Sequence, residues 1–353
     1  MRSCITSGFT GLKLKLMMDH FVEVGDVFMD VLGKIADQGE EVNMLEPFQG
    51  LTMDYIGRAA FGIDTSFQKD LKNPFLVTAQ RTVKEIMKGP FHMMARVSKT
   101  RALSSEEVIM NTTILFLGGF ETSATALSFI TYALGKHPDV QEKVRQEVKE
   151  VLNEGGSLDF ETVTKKLKYV TQVIDEAMRI WPPVLTFTTR EAKEDFEYQG
   201  IKYKAGTSIM SPVFVIHMDE RFFPDPTKFD PDRFSEENEG RIPKFAFQPF
   251  GMGPRNCLGI RHAYVELTYT VARMTQHFRW ELGESQKANV VPNGRPYAQS
   301  ANDVYHRLSE AVREARDNLD AARLQQGVRY DKGFRGVQFQ VGDLRNRSSP
   351  EPE

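Results

Sequence analysis

Two cysteines occur in the 353 residues, Cys4 and Cys257. The second lies in the run Phe250-Gly251-Met252-Gly253-Pro254-Arg255-Asn256-Cys257-Leu258-Gly259, which reads F-x-x-G-x-R-x-C-x-G. At average residue frequencies such a match arises by chance in a chain this long on the order of once in ten thousand. An apolar-periodic segment, Ile260 to Phe278, follows, so the reading places Cys257 at the start of a helix. The positive end of a helix favours thiolate over thiol, and a thiolate is a nucleophile or a metal ligand. Gly253 and Gly259 let the backbone approach a flat group that a side chain would strike. Arg255 offers a cation to a carboxylate, and Phe250 can shield the sulfur from water. The bland alternative is a Gly/Pro-rich surface loop with an inert, buried thiol.

This run resembles the haem-ligand signature of the cytochrome P-450 family, the haem-thiolate monooxygenases. Three further segments resemble the family's motifs in the same chain order. Gly118-Gly119-Phe120-Glu121-Thr122-Ser123 resembles [A/G]-G-x-[D/E]-T-[T/S], Glu176-Ala177-Met178-Arg179 the E-x-x-R pair, and Phe229-Asp230-Pro231-Asp232-Arg233-Phe234 the F-x-P-x-R-F segment. Two glycines together in a helix interior each cost about 1 kcal/mol relative to alanine, which suggests a local widening of the helix. Close helix packing at Gly118 and Gly119 is the alternative. An i,i+3 Glu–Arg pair shares a helix face and alone is most often a solvated ion pair.

The resemblance implies roles for particular residues. Cys257 would ligate the iron of haem b, and Phe250, Gly253, Arg255 and Gly259 would border it. Arg190, within about one residue of the family's position, and Arg2 would also hold the propionates. Thr122 and Glu121 would serve oxygen and proton handling. Glu176, Arg179 and Arg233 would form a largely buried structural network outside the reaction. The implied activity inserts one atom of O2 into a small apolar substrate, with NADPH electrons delivered by a flavoprotein reductase. The best match is to the microsomal branch that holds drug- and steroid-oxidising enzymes and thromboxane synthase. It covers about residues 1–285 and carries the expectation of endoplasmic reticulum membrane association on the cytosolic face. A haem-thiolate isomerase or dehydratase is a second reading, and a non-catalytic haem-binding remnant or interaction protein a third. The Glu121-Thr122 pair argues against the isomerase, whose chemistry needs no proton relay.

The elements that must position these residues read as mostly helical. Helical spacing of apolar residues runs from Met17 to Ile35 and from Leu51 to Phe61, closing at Gly62. Ser104-Ser105-Glu106-Glu107 opens the longest apolar helix, which His137-Pro138 ends near Lys136. Charged helices follow at Asp139 to Glu154 and Tyr169 to Trp181. A hairpin is expected between Glu197 and Ile209, and loops at Pro224 to Pro231 and Phe247 to Gly259. The fold class expected is mainly α with a small β element, resembling an incomplete P-450 fold.

Composition agrees with a large core, at 41% hydrophobic and 26% charged residues. A net charge of -3 and a pI near 6.2 give no basic field that would point to nucleic acid. The lone, distant cysteines argue against a disulfide framework. No run approaches the ~18 consecutive apolar residues of a membrane span, so the chain read literally is soluble. Three departures from the family pattern stand out. The membrane anchor and the lobe before Arg2 are missing, little chain lies between Met87 and Ser104 for the lid helices, and the sequence changes character past Val291. Residues 1–290 would be the haem-thiolate core. Residues 291–353 would be a charged, partly disordered tail, whose stretch Ser309 to Leu344 resembles a segment of retroelement polyproteins. A fused or mis-assembled gene would account for all three departures.

Overall fold

The computed structural model describes residues 10–283, apart from 40, 65, 87–104, 154 and 185. Arg2, Cys4, the short lid segment, the boundary near Val291 and the tail lie outside the described residues. Nine α-helices are described: α1 (Gly11–Leu16), α2 (Met18–Gln38), α3 (Leu45–Phe61), α4 (Pro74–Ile86), α5 (Ser105–Lys136), α6 (Pro138–Asn153), α7 (Lys168–Ile180), α8 (Val213–His217) and α9 (Ile260–His277). The strands are β1 (Thr186–Glu191), β2 (Phe196–Tyr198), β3 (Ile201–Tyr203) and β4 (Ser208–Pro212).

Helix α2 presents one apolar stripe, while the middles of α3 and α9 are buried on every side. In α2, Phe21, Val24, Phe28 and Leu32 recur at helical spacing and are buried, which is the pattern that makes a helix amphipathic. They pack with Leu51 and Tyr55 of α3, Leu127 and Ile130 of α5, Val173 and Ile174 of α7, and Val265 and Val271 of α9. Helix α5 therefore runs through the core. Its segment Thr112–Lys136 is long and apolar enough to cross a membrane by length and composition. The consecutive-residue reading missed this because Gly, Ser and Thr interrupt the run. Its buried Phe120, Leu127, Ile130 and Leu134 explain the same composition as that of a core helix.

The helices expected from periodicity are present, with α3 starting upstream of Leu51 and α2 running on past Ile35 to Gln38. The small β element is larger than the single hairpin expected. β2 and β3 form that hairpin, Phe196 opposite Tyr203, while β1 pairs antiparallel with β4 and sets Arg190 opposite Ile209. Helix α5 is continuous through Gly118-Gly119, so the expected widening does not occur there. The described π-helical turn is Thr162–Lys166. The two glycines divide the two expectations between them. A Cβ on Gly119 would come within 3.0 Å of the Ile56 side chain, whereas one on Gly118 would meet nothing within 4 Å. Gly119 is a close-packing glycine against α3, and Gly118 faces open space.

One ionic network ties the second half of the fold together. Glu176 and Arg179 of α7 are both 0% exposed. The Arg179 fork donates to both oxygens of Glu176, at 2.7 Å from Nε and 2.8 Å from Nη2. Its other contacts are the His217 carbonyl at 3.0 Å and the Lys228 carbonyl at 3.3 Å, and it lies over the Phe223 ring. Glu176 also accepts the Asp230 N–H at 2.9 Å and lies 3.4 Å from Arg233 Nε. Burial pushes the Glu176 carboxyl up, while Arg179, the Asp230 amide and Arg233 pull it back.

His217 extends this network. Its Nε2 accepts the backbone N–H of Gln248 at 2.9 Å, so the proton sits on Nδ1 and is donated to the Arg179 carbonyl at 3.0 Å. Burial pushes the ring down to about 4, and it stays neutral in the fold.

Two outcomes follow. Arg179→Ala leaves Glu176 buried without its main partner, and is expected to lower stability by ~3–5 kcal/mol, read from the midpoint of urea unfolding. The unfolded chain protonates His217 near pH 6.5 and the folded chain only near 4. The stability contributed by the neutral ring is thus complete above about 6.5 and is lost as pH falls through about 4. Relative to His217→Gln, the protein is expected to lose about 3 kcal/mol more between pH 7 and pH 4, measured by unfolding at each pH.

Candidate functional site

Residues 250–257 close into a loop through one backbone bond, the Cys257 N–H to the Phe250 carbonyl at 2.8 Å. Within it the chain tightens into a 3-10 turn at Gly253–Arg255, and Gly253 takes φ +74, a conformation that a side chain disfavours. Cys257 is exposed and Phe250 half-buried. Helix α9 begins at Ile260 with Gly259 as its cap, so Cys257 precedes the helix rather than opening it. No atom lies within 4 Å of where a Cβ would stand on Gly253 or on Gly259. Arg255 is exposed beside them.

These features fit a haem iron centre. The sulfur is a soft donor suited to iron, and a thiolate pushes electron density onto a bound haem iron. The glycine backbones on either side leave room for a flat ring, and the exposed Arg255 is a cation that would suit its carboxylates. Arg190 lies on β1 with its side chain half-buried. It belongs to a different element from the loop, with a register irregularity between Phe187 and Arg190.

The second group of residues lies along α5. The Thr122 hydroxyl donates to the Gly118 carbonyl one turn back, at 2.6 Å. A hydroxyl has a single proton, so in this arrangement Thr122 can accept a hydrogen bond, and donating elsewhere requires release of Gly118. The Phe120 carbonyl of α5 is approached from outside the helix by the buried Thr52 hydroxyl of α3, 2.8 Å away, which also lies 2.9 Å from the Phe48 carbonyl of its own helix. Glu121 accepts from the Gln49 amide at 2.7 Å, and Gln49 in turn accepts from Gln80 of α4 at 2.8 Å. A neutral amide thus holds one oxygen of Glu121.

A buried link joins the two groups. Ser123, adjacent to Thr122, donates to Glu266 of α9 at 3.0 Å. The same Glu266 oxygen lies 3.5 Å from Nδ1 of His262, in the first turn after the cysteine loop. The other oxygen, Oε1, is buried with no hydrogen-bond partner among the described residues. Burial pushes the Glu266 carboxyl up, and His262 and Ser123 draw it down. Helices α5 and α9 are therefore latched next to Thr122 on one side and at Glu266, two turns into α9, on the other. A third contact supports the loop from α7. The Tyr264 hydroxyl donates to Asp175 at 2.6 Å, and its ring packs 5.3 Å from that of Phe250. Burial pushes the Asp175 carboxyl up to about 7 against the pull of Tyr264.

The structure brings Glu176, Arg179 and Arg233 into one network, and Phe250, Gly253, Arg255, Cys257 and Gly259 into one loop. Glu121 and Thr122 share one turn of α5. Sequence reasoning missed Gln49, Thr52, Ser123, Asp175, His217, His262, Tyr264 and Glu266. Only the i,i+4 spacing of His262 and Glu266 carried a local signal. Gln49 and Glu121 are 72 positions apart, and nothing in either segment announces the other.

A family model described as cytochrome P450 matches residues 93–297, which is more than half of the chain. Among curated proteins, cytochrome P450 3A14 of Cavia porcellus is 29% identical over 336 residues, covering 78% of this chain and 66% of that protein. Cytochrome P450 3A7 of Homo sapiens is 28% identical over 339 residues, covering 79% and 67%. Cytochrome P450 3A25 of Mus musculus is 26% identical over 363 residues, covering 86% and 72%. The chain thus spans about two-thirds of the length of the first of these relatives, 66%. The cysteine loop, the glycine-bearing core helix and the buried Glu–Arg network lie within the matched region, and the chain belongs to the cytochrome P450 family.

Proposed function

We propose that the protein is a haem-dependent monooxygenase acting on a small apolar substrate, with electrons from NADPH delivered by a flavoprotein reductase. The observation that carries this is the closed Phe250–Cys257 loop, with an exposed sulfur, open glycine backbones and Arg255 at its rim. It sits on a helix latched to α5 beside Thr122. When bound, haem supplies dioxygen activation and oxygen-atom transfer.

The chain's own residues then have separable tasks. Cys257, as thiolate, holds the iron, and its N–H remains fixed on Phe250. Arg255 and Arg190 hold the carboxylates of the ring, with Arg2 as a third cation. Glu121 holds a proton near the reacting region, kept in place by the Gln49 amide. Thr122 receives a hydrogen bond while its own proton stays on Gly118, and donates when its side chain rotates away. Glu176, Arg179 and Arg233 touch no reactant, and hold the scaffold behind the loop. The relatives' names place them among cytochromes P450 of the 3A group, which favours an endoplasmic reticulum membrane location for this protein. Residues 1–290 are the catalytic core in this reading, and residues 291–353 a separate charged tail.

The test begins with the reduced protein under carbon monoxide. A strongly red-shifted Soret band is expected, and its loss in Cys257→Ala with retention of fold assigns the sulfur. NADPH- and reductase-dependent oxidation of apolar test substrates separates a monooxygenase from an isomerase, which turns over without reductase. A colourless protein after expression with ample haem overturns the proposal. Glu121→Gln is expected to lower turnover roughly 100-fold, in the range for a lost proton-transfer group, with the carbon monoxide band unmoved.

A further inference from the structure

Phe250 of the cysteine loop has an aromatic partner outside the motif. Tyr264 sits on α9, its ring 5.3 Å from the Phe250 ring at an interplanar angle of 50°. Its hydroxyl donates to Asp175 Oδ1 at 2.6 Å. Asp175 precedes Glu176 on α7, and Glu176 is itself locked to Arg179 at 2.7 Å. The tyrosine ring is therefore fixed at both ends, by its own helix and by a neighbouring helix held in the buried network. Phe250 packs against this fixed ring and offers its carbonyl to the Cys257 N–H at 2.8 Å. That bond closes the loop that presents the sulfur.

We propose that Tyr264, anchored on Asp175, is a positioning residue that holds Phe250 in place and thereby fixes the sulfur of Cys257. The inference rests on the thiolate-ligand reading of Cys257 and deepens it. A tyrosine ring without its hydroxyl contact retains packing but not orientation, so Phe250 gains freedom and the Phe250–Cys257 bond weakens. Hydrogen bonds set around a metal ligand tune its donor strength in the same way. The effect belongs to the anchor pair, and loss of either partner produces it.

The experiment compares the haem-loaded protein with Tyr264→Phe, Asp175→Ala, Asp175→Asn and the double variant Tyr264→Phe/Asp175→Ala. One readout is the rate at which the reduced carbon monoxide complex loses its red-shifted thiolate band. The second, on protein freed of haem, is the rate of Cys257 alkylation by a neutral maleimide, with the site identified by mass. Tyr264→Phe and Asp175→Ala are each expected to raise both rates roughly two- to tenfold, the equivalent of one hydrogen bond. The double variant is expected to match the single ones, as for two residues in one contact. Asp175→Asn keeps an acceptor oxygen and is expected to stay near the parent. Unchanged rates in Tyr264→Phe, or additive effects in the double variant, overturn the anchor. A parent protein that takes haem without a thiolate band instead overturns the ligand reading, and alkylation still decides the anchor. Should Tyr264→Phe fail to fold, the contrast between Asp175→Ala and Asp175→Asn decides it.

Discussion

A guanidinium removed from water must find acceptors inside the protein, because an arginine cannot shed its charge. Arg179 meets this demand with the Glu176 carboxylate, the His217 carbonyl and the Lys228 carbonyl. Each acceptor comes from a different stretch of chain, so one buried charge forces α7, the end of α8 and the Asp225–Phe234 segment into a single arrangement. The same arrangement carries His217, whose ring holds the Gln248 amide just before the cysteine loop. The loop is thus set by a network that contains none of the residues expected to react.

A second arrangement, the seating of α5 on α9, joins the helix of Thr122 to the one that follows the cysteine loop. Ala124 and Ala126 of α5 are buried, and Gly119 lets Ile56 of α3 approach the helix closely. Ser123 and Glu266 fix the register of α5 on α9. Around that point α5 carries unusual hydrogen bonding on its carbonyls, with Thr122 on Gly118 and Thr52 on Phe120. The helix stays continuous there, and its side-chain hydroxyls supply the local polarity that a break in the helix would otherwise have exposed.

What the sequence revealed divides along range. Helix positions followed from apolar spacing, and the helix ends at Gly62 and His137-Pro138 from residues with a backbone reason to stop. The spacing around Cys257 identified the loop because all its fixed residues lie within one short run. The Glu176–Arg179 pair was legible as a pair, and the family resemblance supplied its burial and Arg233, but the His217 and Lys228 carbonyls that complete the network, dozens of residues away, were not. The Gln49–Glu121 and Tyr264–Asp175 contacts were invisible for the same reason, since an amide or a tyrosine in an amphipathic helix has many ordinary uses. The β1–β4 ladder escaped because its strands flank a tighter hairpin that accounted for the turn residues between them. Widening at Gly118-Gly119 was a sound inference from glycine energetics, yet the packing of Ile56 against Gly119 supplies another use for one of the two.

The hydrogen bonds of His217 also couple distant stretches of the chain. Its two ring contacts join partners 38 and 31 residues away, and the first of these, the Arg179 carbonyl, belongs to α7. Closing such separations costs chain entropy that only docked helices can offset. The anchorage of Gln248 therefore needs α7 and α8 docked, so a change that loosens either helix reaches the chain just before the sulfur-bearing loop.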